Sequence, residues 1–335
     1  MRMPTSRRAF VTALSASLAA LAAPAARAQV PAQRTAKVGW LMLSSTGMYA
    51  DLTARGYVKG LAEGGYAEGR NLAFERRSAE GDVHKLRALA RELVTAKVDV
   101  IFAPAKMLAD AAWSASTSIP TVIATVTDPV HVDYARSLAR PGKHITGVTT
   151  ASAELIGKRL QLLSDMVPGL RRVAIPIDPD LLASCSDELD LMEKAARILG
   201  ITLMRVPIKS DAPDIEAAVR FAVSAKAQAI AMAPMTSNYD VTDRIAAQAK
   251  RQRLPFMHDV PQLAGEALAV YGPDFEDIFR RAGLVTARIL KGERPAEMPI
   301  EEPREFRFIV NKKTASALGL TLPPAILLRA DTVIE

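Results

Sequence analysis

Few side chains in this chain of 335 residues have the types and spacing that reaction chemistry demands. Its four histidines, His84, His131, His144 and His258, are scattered, with no spacing that would set two of them on one metal ion. Cys185 is the only cysteine. That excludes a disulfide framework within the chain and any thiolate-rich metal site. No G-x-S-x-G, H-E-x-x-H, P-loop or G-x-G-x-x-G pattern occurs, so no nucleophile, zinc hydrolase or phosphate cradle is assembled. The glycines between Gly60 and Gly69 follow a helical pattern instead of opening one, which suits a helix stop and a turn. No metal and no cofactor are expected. Among the histidines His258 stands out, because it lies at the end of a strand pattern beside Asp259.

Polar side chains at the ends of apolar runs suggest binding instead. Ser44-Ser45-Thr46 follows one such run and precedes a helix, where hydroxyls and free amides suit a carboxylate or another polar head group. Lys106 stands at another helix start after Ala103-Pro104-Ala105 and adds a full positive charge to an end that already favours anions. The expected arrangement sets Lys106 opposite Ser44, Ser45 and Thr46. Asp128, before Pro129, is a candidate partner for an ammonium or a donor hydroxyl. Thr150 falls where one half of the chain gives way to the next. Asp178, Met235, Thr236 and His258 lie at later strand ends.

These loops require a frame of alternating strands and helices. Strand patterns at residues 37–43, 71–75, 98–102, 121–123 and 145–149 are separated by helical stripes over 48–64, 82–93 and 106–115. After Thr149 the alternation starts afresh. Strands at 172–177, 201–206, 228–233, 255–257 and 268–271 alternate with helices that include 182–199, 215–225 and 241–253. A helix striped by Phe275, Ile278, Ala282, Val285 and Ile289, a strand at 306–310 and a short helix at 312–318 follow. Such alternation implies βαβ units and parallel sheets. The expected fold is α/β: two Rossmann-like lobes joined by a hinge, one from 29–148 with 272–298, the other from 149–271 with 299–335. Ligands of open α/β sheets sit beyond the carboxyl ends of the strands, so two facing lobes would make a cleft.

The first 28 residues read as a cleavable export signal. Arg2, Arg7, Arg8 and Arg27 come without an acidic residue, Phe10–Ala23 is apolar, and Ala26-Arg27-Ala28 offers a small-x-small cleavage site. The apolar run is shorter than the roughly 20 residues of a membrane span. Ser6-Arg7-Arg8-Ala9-Phe10-Val11 is similar to a twin-arginine signal. Cleavage before Gln29 leaves 39 basic against 36 acidic side chains, a net charge of +3, which removes the electrostatic case for nucleic acid. The expectation is a freely diffusing periplasmic monomer.

Several short motifs occur in a specific order along the chain. They include Gly65-Tyr66-Ala67-Glu68-Gly69-Arg70-Asn71, Val98-Asp99-Val100-Ile101, Asp128-Pro129-Val130, Ser137-Leu138-Ala139-Arg140-Pro141-Gly142 and Gly157-Lys158-Arg159-Leu160. Tyr271-Gly272-Pro273, Ile289-Leu290-Lys291-Gly292, Asn311-Lys312-Lys313-Thr314-Ala315 and Arg329-Ala330-Asp331 continue the series. With these motifs the chain resembles the extracytoplasmic substrate-binding proteins of ABC transporters, tryptophan/tyrosine type. The resemblance implies a type I periplasmic binding protein fold with two lobes, three hinge crossings and no catalysis, and a membrane permease as partner. The loops at Ala105-Lys106-Met107, Asp178-Pro179-Asp180 and Pro234-Met235-Thr236 depart from the family pattern. Aromatic residues make up 5% of the chain. Trp40 inside a strand and Trp113 late in a helix suit packing, so a large sugar, which wants aromatic platforms, is disfavoured. A small polar, carboxylate-bearing, amino-acid-like ligand fits the helix starts and Lys106 better. A secreted α/β hydrolase and a ligand-sensing module for a membrane receptor are the alternatives.

Overall fold

A computed structural model describes residues 34–150, 152–182, 185–233, 239 and 241–335. The export-signal reading of residues 1–28 and the site residues Met235 and Thr236 lie outside them. The strands of the first half are β1 (Ala36–Met42), β2 (Leu72–Ser78), β3 (Val100–Phe102), β4 (Thr121–Val126) and β5 (Ile145–Thr149). Four of the five are short, apolar, largely buried runs, and the edge strand β2 carries Glu75, Arg76 and Arg77. The five pair in the order β2-β1-β3-β4-β5, all parallel. The helices that return the chain are α1 (Met48–Glu63), α2 (Leu86–Thr95) and α3 (Lys106–Ala115). α2 shows why the pattern was readable: Leu86, Ala90 and Leu93 are its buried face, and Asp82 caps the turn before it by accepting the His84 amide at 3.0 Å.

The second half forms α4 (Ser152–Met166), β6 (Arg172–Ile177), α5 (Ser186–Leu199), β7 (Thr202–Pro207), α6 (Ile215–Ser224), β8 (Ala229–Ala231), α7 (Thr242–Arg251), β9 (Phe256–His258) and β10 (Ala269–Pro273). α5 begins four residues later than its apolar pattern suggests. Asp178 and Pro179 first set a 3-10 turn at Pro179–Leu181, and the α-helix follows Cys185. It ends at Gly200, whose φ of 66° is the left-handed stop that glycine accepts without strain.

α8 (Phe275–Leu290) then leaves the second sheet and packs against α1 of the first. Glycines bring the two helices together: a Cβ on Gly60 would lie 1.8 Å from the Arg280 carbonyl oxygen, and one on Gly283 would lie 2.3 Å from that of Tyr57. β11 (Phe306–Asn311), α9 (Lys312–Ala317), α10 (Pro324–Arg329) and β12 (Thr332–Ile334) finish the chain. The second sheet runs β12-β11-β10-β9-β8-β6-β7.

The expectation of wholly parallel sheets needs one correction. β10 and β11 are antiparallel, with Tyr271 opposite Phe308. The reason is topological. β10 leaves the sheet at its carboxyl end to reach α8, and the returning segment enters at that same end, so β11 must run the other way. The late elements α10 and β12 also fall outside the sequence pattern. β12 pairs with β11 in parallel, and the Asp331 carboxylate accepts the Phe308 amide at 2.7 Å.

Thr35–Glu335 is one unit. Within it the sheets belong to two lobes joined three times: from β5 into α4, from β10 into α8, and from the 298–305 segment into β11. That last segment runs beside β5, with Thr149 donating its amide to Glu301 oxygen at 2.8 Å. The carboxyl ends of the parallel strands, β1–β5 in one sheet and β6–β10 in the other, lead into the loops between the lobes, and β11 and β12 run the opposite way.

Candidate functional site

Lobe 1 supplies its wall from the loops after β1, β3 and β4. The Ser44 hydroxyl donates to the Thr46 carbonyl at 2.8 Å, and the Ser45 hydroxyl to Glu80 at 2.7 Å. Thr46 is exposed, and Gly47, not a hydroxyl residue, is the N-cap of α1. Ser44 borders a shallow, mostly apolar cavity of about 40 Å³ with Trp40, Tyr49 and Pro104. Lys106 occupies the first position of α3, and its ammonium lies 3.1 Å from Asp110 one turn along the same helix. Asp128 is exposed and accepts the Val130 and His131 amides at 3.1 and 2.9 Å, which closes a turn.

Lys106 and Asp128 meet on a cleft of about 210 Å³ between the lobes. Thr127 and His131 line it from lobe 1, and Asp187, Glu188 and Lys194 from α5. Lys106 and Ser44 therefore open on different cavities, because the lysine side chain follows α3 instead of reaching towards β1. Across the cleft His131 Nε2 stands 3.5 Å from Asp187. Deeper, the rings of Tyr49 on α1 and Tyr239 in the loop after β8 lie 4.6 Å apart, and Phe275 on α8 meets both. Met107 packs against the apolar clusters of both lobes. The two walls are in contact.

Lobe 2 presents a different set. Asp178 is buried, and both of its oxygens are engaged: Oδ1 accepts the Asp180 amide at 2.9 Å and Oδ2 the Ser210 amide at 2.7 Å. Thr150 is buried at the crossing from β5 to α4. His258 is fully buried, stacked on Phe256 at 5.5 Å, and its Nδ1 accepts the Val260 amide at 3.3 Å. Burial pushes its imidazole down to about 3, so it is neutral. Phe256 belongs to the apolar cluster of α6 and α7, which places His258 on that face of the sheet.

Three further buried polar residues of lobe 2 carry no expectation from the sequence: Glu188, which lines the cleft, and Arg159 and Asp259, which are buried outside its lining. Arg159 on α4 is 5% exposed; its Nη1 donates to the Tyr271 carbonyl at 3.3 Å, and Nη2 has no partner among the described residues. Asp259 is 1% exposed; its Oδ2 accepts the Tyr239 hydroxyl at 2.9 Å, and Oδ1 is likewise without a partner. Burial pushes the Asp259 carboxyl up, and the nearby Arg159 charge and the Tyr239 hydroxyl pull against it. Glu188 in the first turn of α5 is also buried with one oxygen unpaired, and burial raises its carboxyl too. The signals for Arg159 were its place in the Gly157-Lys158-Arg159-Leu160 motif and a charge set among apolar helix positions; Tyr239 and Asp259 had none beyond their place at strand ends. Cys185 is buried, and its thiol is pushed up to about 11, first by burial and then by Glu188, so it is inert.

Two α/β lobes, hinged at three crossings around a polar cleft and carrying no assembled nucleophile or metal cluster among the described residues, make a type I periplasmic binding protein fold. The family model described as ABC transporter substrate binding protein matches residues 41–334, and the chain belongs to that family. It is thus a solute-binding protein and not an enzyme, and the hydrolase alternative falls. A tyrosine-binding protein from Clostridioides difficile (strain R20291) is 25% identical over 274 residues, covering 81% of this chain and 77% of that one. A conserved domain protein from Vibrio cholerae has a solved structure with a TM-score of 0.79 and 26% identity, over 90% of this chain and 100% of that one. A Streptococcus pneumoniae ABC domain in complex with L-Trp superposes with a TM-score of 0.77 at 23% identity, over 90% of this chain and 100% of its own.

Proposed function

We propose that the chain is the periplasmic receptor of an ABC importer, and that it captures a small amino-acid-like solute between its lobes and presents it to a membrane permease. The observation that carries this reading is the meeting of two lobes on a cleft lined by Lys106, Asp128, Asp187 and Lys194, where buried Glu188 keeps one oxygen unpaired among the described residues. Unpaired polar groups cost folding free energy, and a solute that satisfies them recovers it. The tyrosine-binding relative and the L-Trp-bound structure support an amino acid as the solute class. Small polar solutes also suit the modest volume of about 210 Å³. Ser44, Ser45, Thr46, Lys106, Asp128, Thr150, Asp178, Met235, Thr236 and His258 remain the proposed surroundings of the cleft, and 29–148 with 272–298 and 149–271 with 299–335 the proposed moving bodies.

Residues 1–28 act in this reading as a twin-arginine export signal, and the mature protein begins at Gln29 and works as a monomer. Native mass spectrometry of protein freshly isolated from periplasm tests the whole reading. The expected result is a single chain starting at Gln29 with a non-covalent adduct of amino-acid mass. Protein that retains Met1, or that is held in the membrane fraction, defeats the export part. Failure of every amino acid to raise the melting temperature defeats the ligand part.

A further inference from the structure

Met257 belongs to the apolar cluster of α4 and α5, and Asp259 follows two residues later, on the same side of the chain as it leaves β9. Arg159 comes to this corner from α4 and shares a small cavity of about 10 Å³ with Met192, Met232 and Met257. A cation and an anion are thus buried together at the carboxyl end of a sheet, where ligands of open α/β folds bind. Their unpaired atoms, Nη2 and Oδ1, do not satisfy each other. Each is nevertheless held in place by its second atom, Nη1 by the Tyr271 carbonyl and Oδ2 by the Tyr239 hydroxyl. A donor and an acceptor fixed in this way, in a dry setting, are preorganised for a group that brings both complements at once.

We propose that Arg159 and Asp259 are the specificity-determining pair for the solute's head group, with Arg159 Nη2 taking a carboxylate and Asp259 Oδ1 the neighbouring ammonium. The inference rests on the amino-acid reading above and deepens it. It assigns recognition of the zwitterion to lobe 2, whereas the sequence pointed to Lys106 and Asp128. Tyr239 joins the pair to the other lobe: its hydroxyl donates to Asp259 Oδ2 while its ring meets Tyr49 of lobe 1.

The test compares ratios of affinities, which a purely structural role would leave alone. Calorimetric titrations use L-tyrosine and L-tryptophan, and for each the analogue lacking the ammonium (3-(4-hydroxyphenyl)propionate, indole-3-propionate) and the analogue lacking the carboxylate (tyramine, tryptamine). The unaltered chain is expected to bind at least one of the amino acids ten times or more tighter than either analogue. Arg159→Gln should reduce the preference over the amine to within about threefold, and Asp259→Asn the preference over the acid likewise. Arg159→Lys and Asp259→Glu, which keep the charge and shift its position, serve where the first variants fail to fold, and should reduce the same ratios at least threefold. If folded variants keep the ratios of the unaltered chain, the pair is structural and the inference falls while the amino-acid reading stands. If the unaltered chain binds neither amino acid, that reading falls and takes the inference with it.

Discussion

The two walls of the cleft hold their polar groups in opposite ways. On lobe 1 they are near the surface and satisfied locally: Ser45 by Glu80, Lys106 by Asp110, Asp128 by two amides of its own turn. On lobe 2 Glu188 at the cleft, and Arg159 and Asp259 buried in the lobe, each keep an atom without a partner among the described residues. A group that is exposed and already paired gains little from a solute, because water and its neighbour serve it well. A group that is dry and unpaired gains much. Charge at a helix start, the feature most visible in sequence, therefore marks the wall with less to gain.

The contrast is open to tests of decreasing size. Tyr239→Ala removes a buried ring from the inter-lobe stack and takes the hydroxyl donor from Asp259 Oδ2; it should cost about 3–5 kcal/mol, read from urea unfolding. A cost below about 1 kcal/mol would mean that the walls are not held together at this point. His258→Gln sharpens the contrast through pH. The His258 pKa is depressed to about 3 in the folded chain, so the unfolded state binds the extra proton, and stability falls as pH drops from about 6.5 towards 3. Between pH 6.5 and 4.5 the native chain should lose about 2–3 kcal/mol more than His258→Gln, at roughly 1.4 kcal/mol per unit. The neighbouring Asp259 carboxyl, raised by burial, acts with the other sign and favours the fold in acid. Parallel acid profiles for the two chains would contradict the buried, neutral imidazole.

Helix glycines divide the lobes in the same manner. Gly60→Ala in lobe 1 drives a Cβ into the Arg280 carbonyl and should destabilise by about 1–3 kcal/mol. Gly157→Ala on α4 meets only the Ala195 Cβ, at 3.6 Å, and should stabilise by about 0.5–1 kcal/mol. Thermal unfolding of both variants reads the difference, and equal shifts would contradict the close α1–α8 crossing. The smallest effect belongs to Lys106→Ala. Its partly exposed pair with Asp110 contributes about 0.3–0.5 kcal/mol, and amino-acid affinity should change less than threefold. A tenfold loss in calorimetry would return the carboxylate to lobe 1.

Most of the fold was legible because burial leaves a period in the sequence. The strand at 172–177 and the stripe from Phe275 to Ile289 stand where their apolar spacing puts them. What escaped is what periodicity does not carry. The direction of β11 depends on which end of the sheet the chain re-enters, and α10 and β12 are too short to show a repeat. In the site, spacing shows where a loop lies but not whether its polar atoms are satisfied. Asp178 looked available, yet both its oxygens are taken by amides, one of them 32 residues away. Arg159 was visible as part of a motif and as a break in an apolar stripe, and only its burial beside Tyr271 and Asp259 gives it weight.

The α1–α8 crossing also sets an order in time. Tyr57, Leu61 and the glycine face of α1 are complete within the first 63 residues of the chain, but their cover is α8, which begins at Phe275. While the chain is being synthesised, lobe 1 has its whole sheet and lacks one side of its core until more than four-fifths of the sequence has emerged. The intervening lobe 2 cannot substitute, because it too waits for β11 and β12 at the far end. Folding must therefore be late and nearly all at once, dominated by pairings distant in sequence and correspondingly slow. A nascent chain of this design carries a bare aromatic and glycine surface for most of its synthesis, and that interval is when it most needs protection from aggregation.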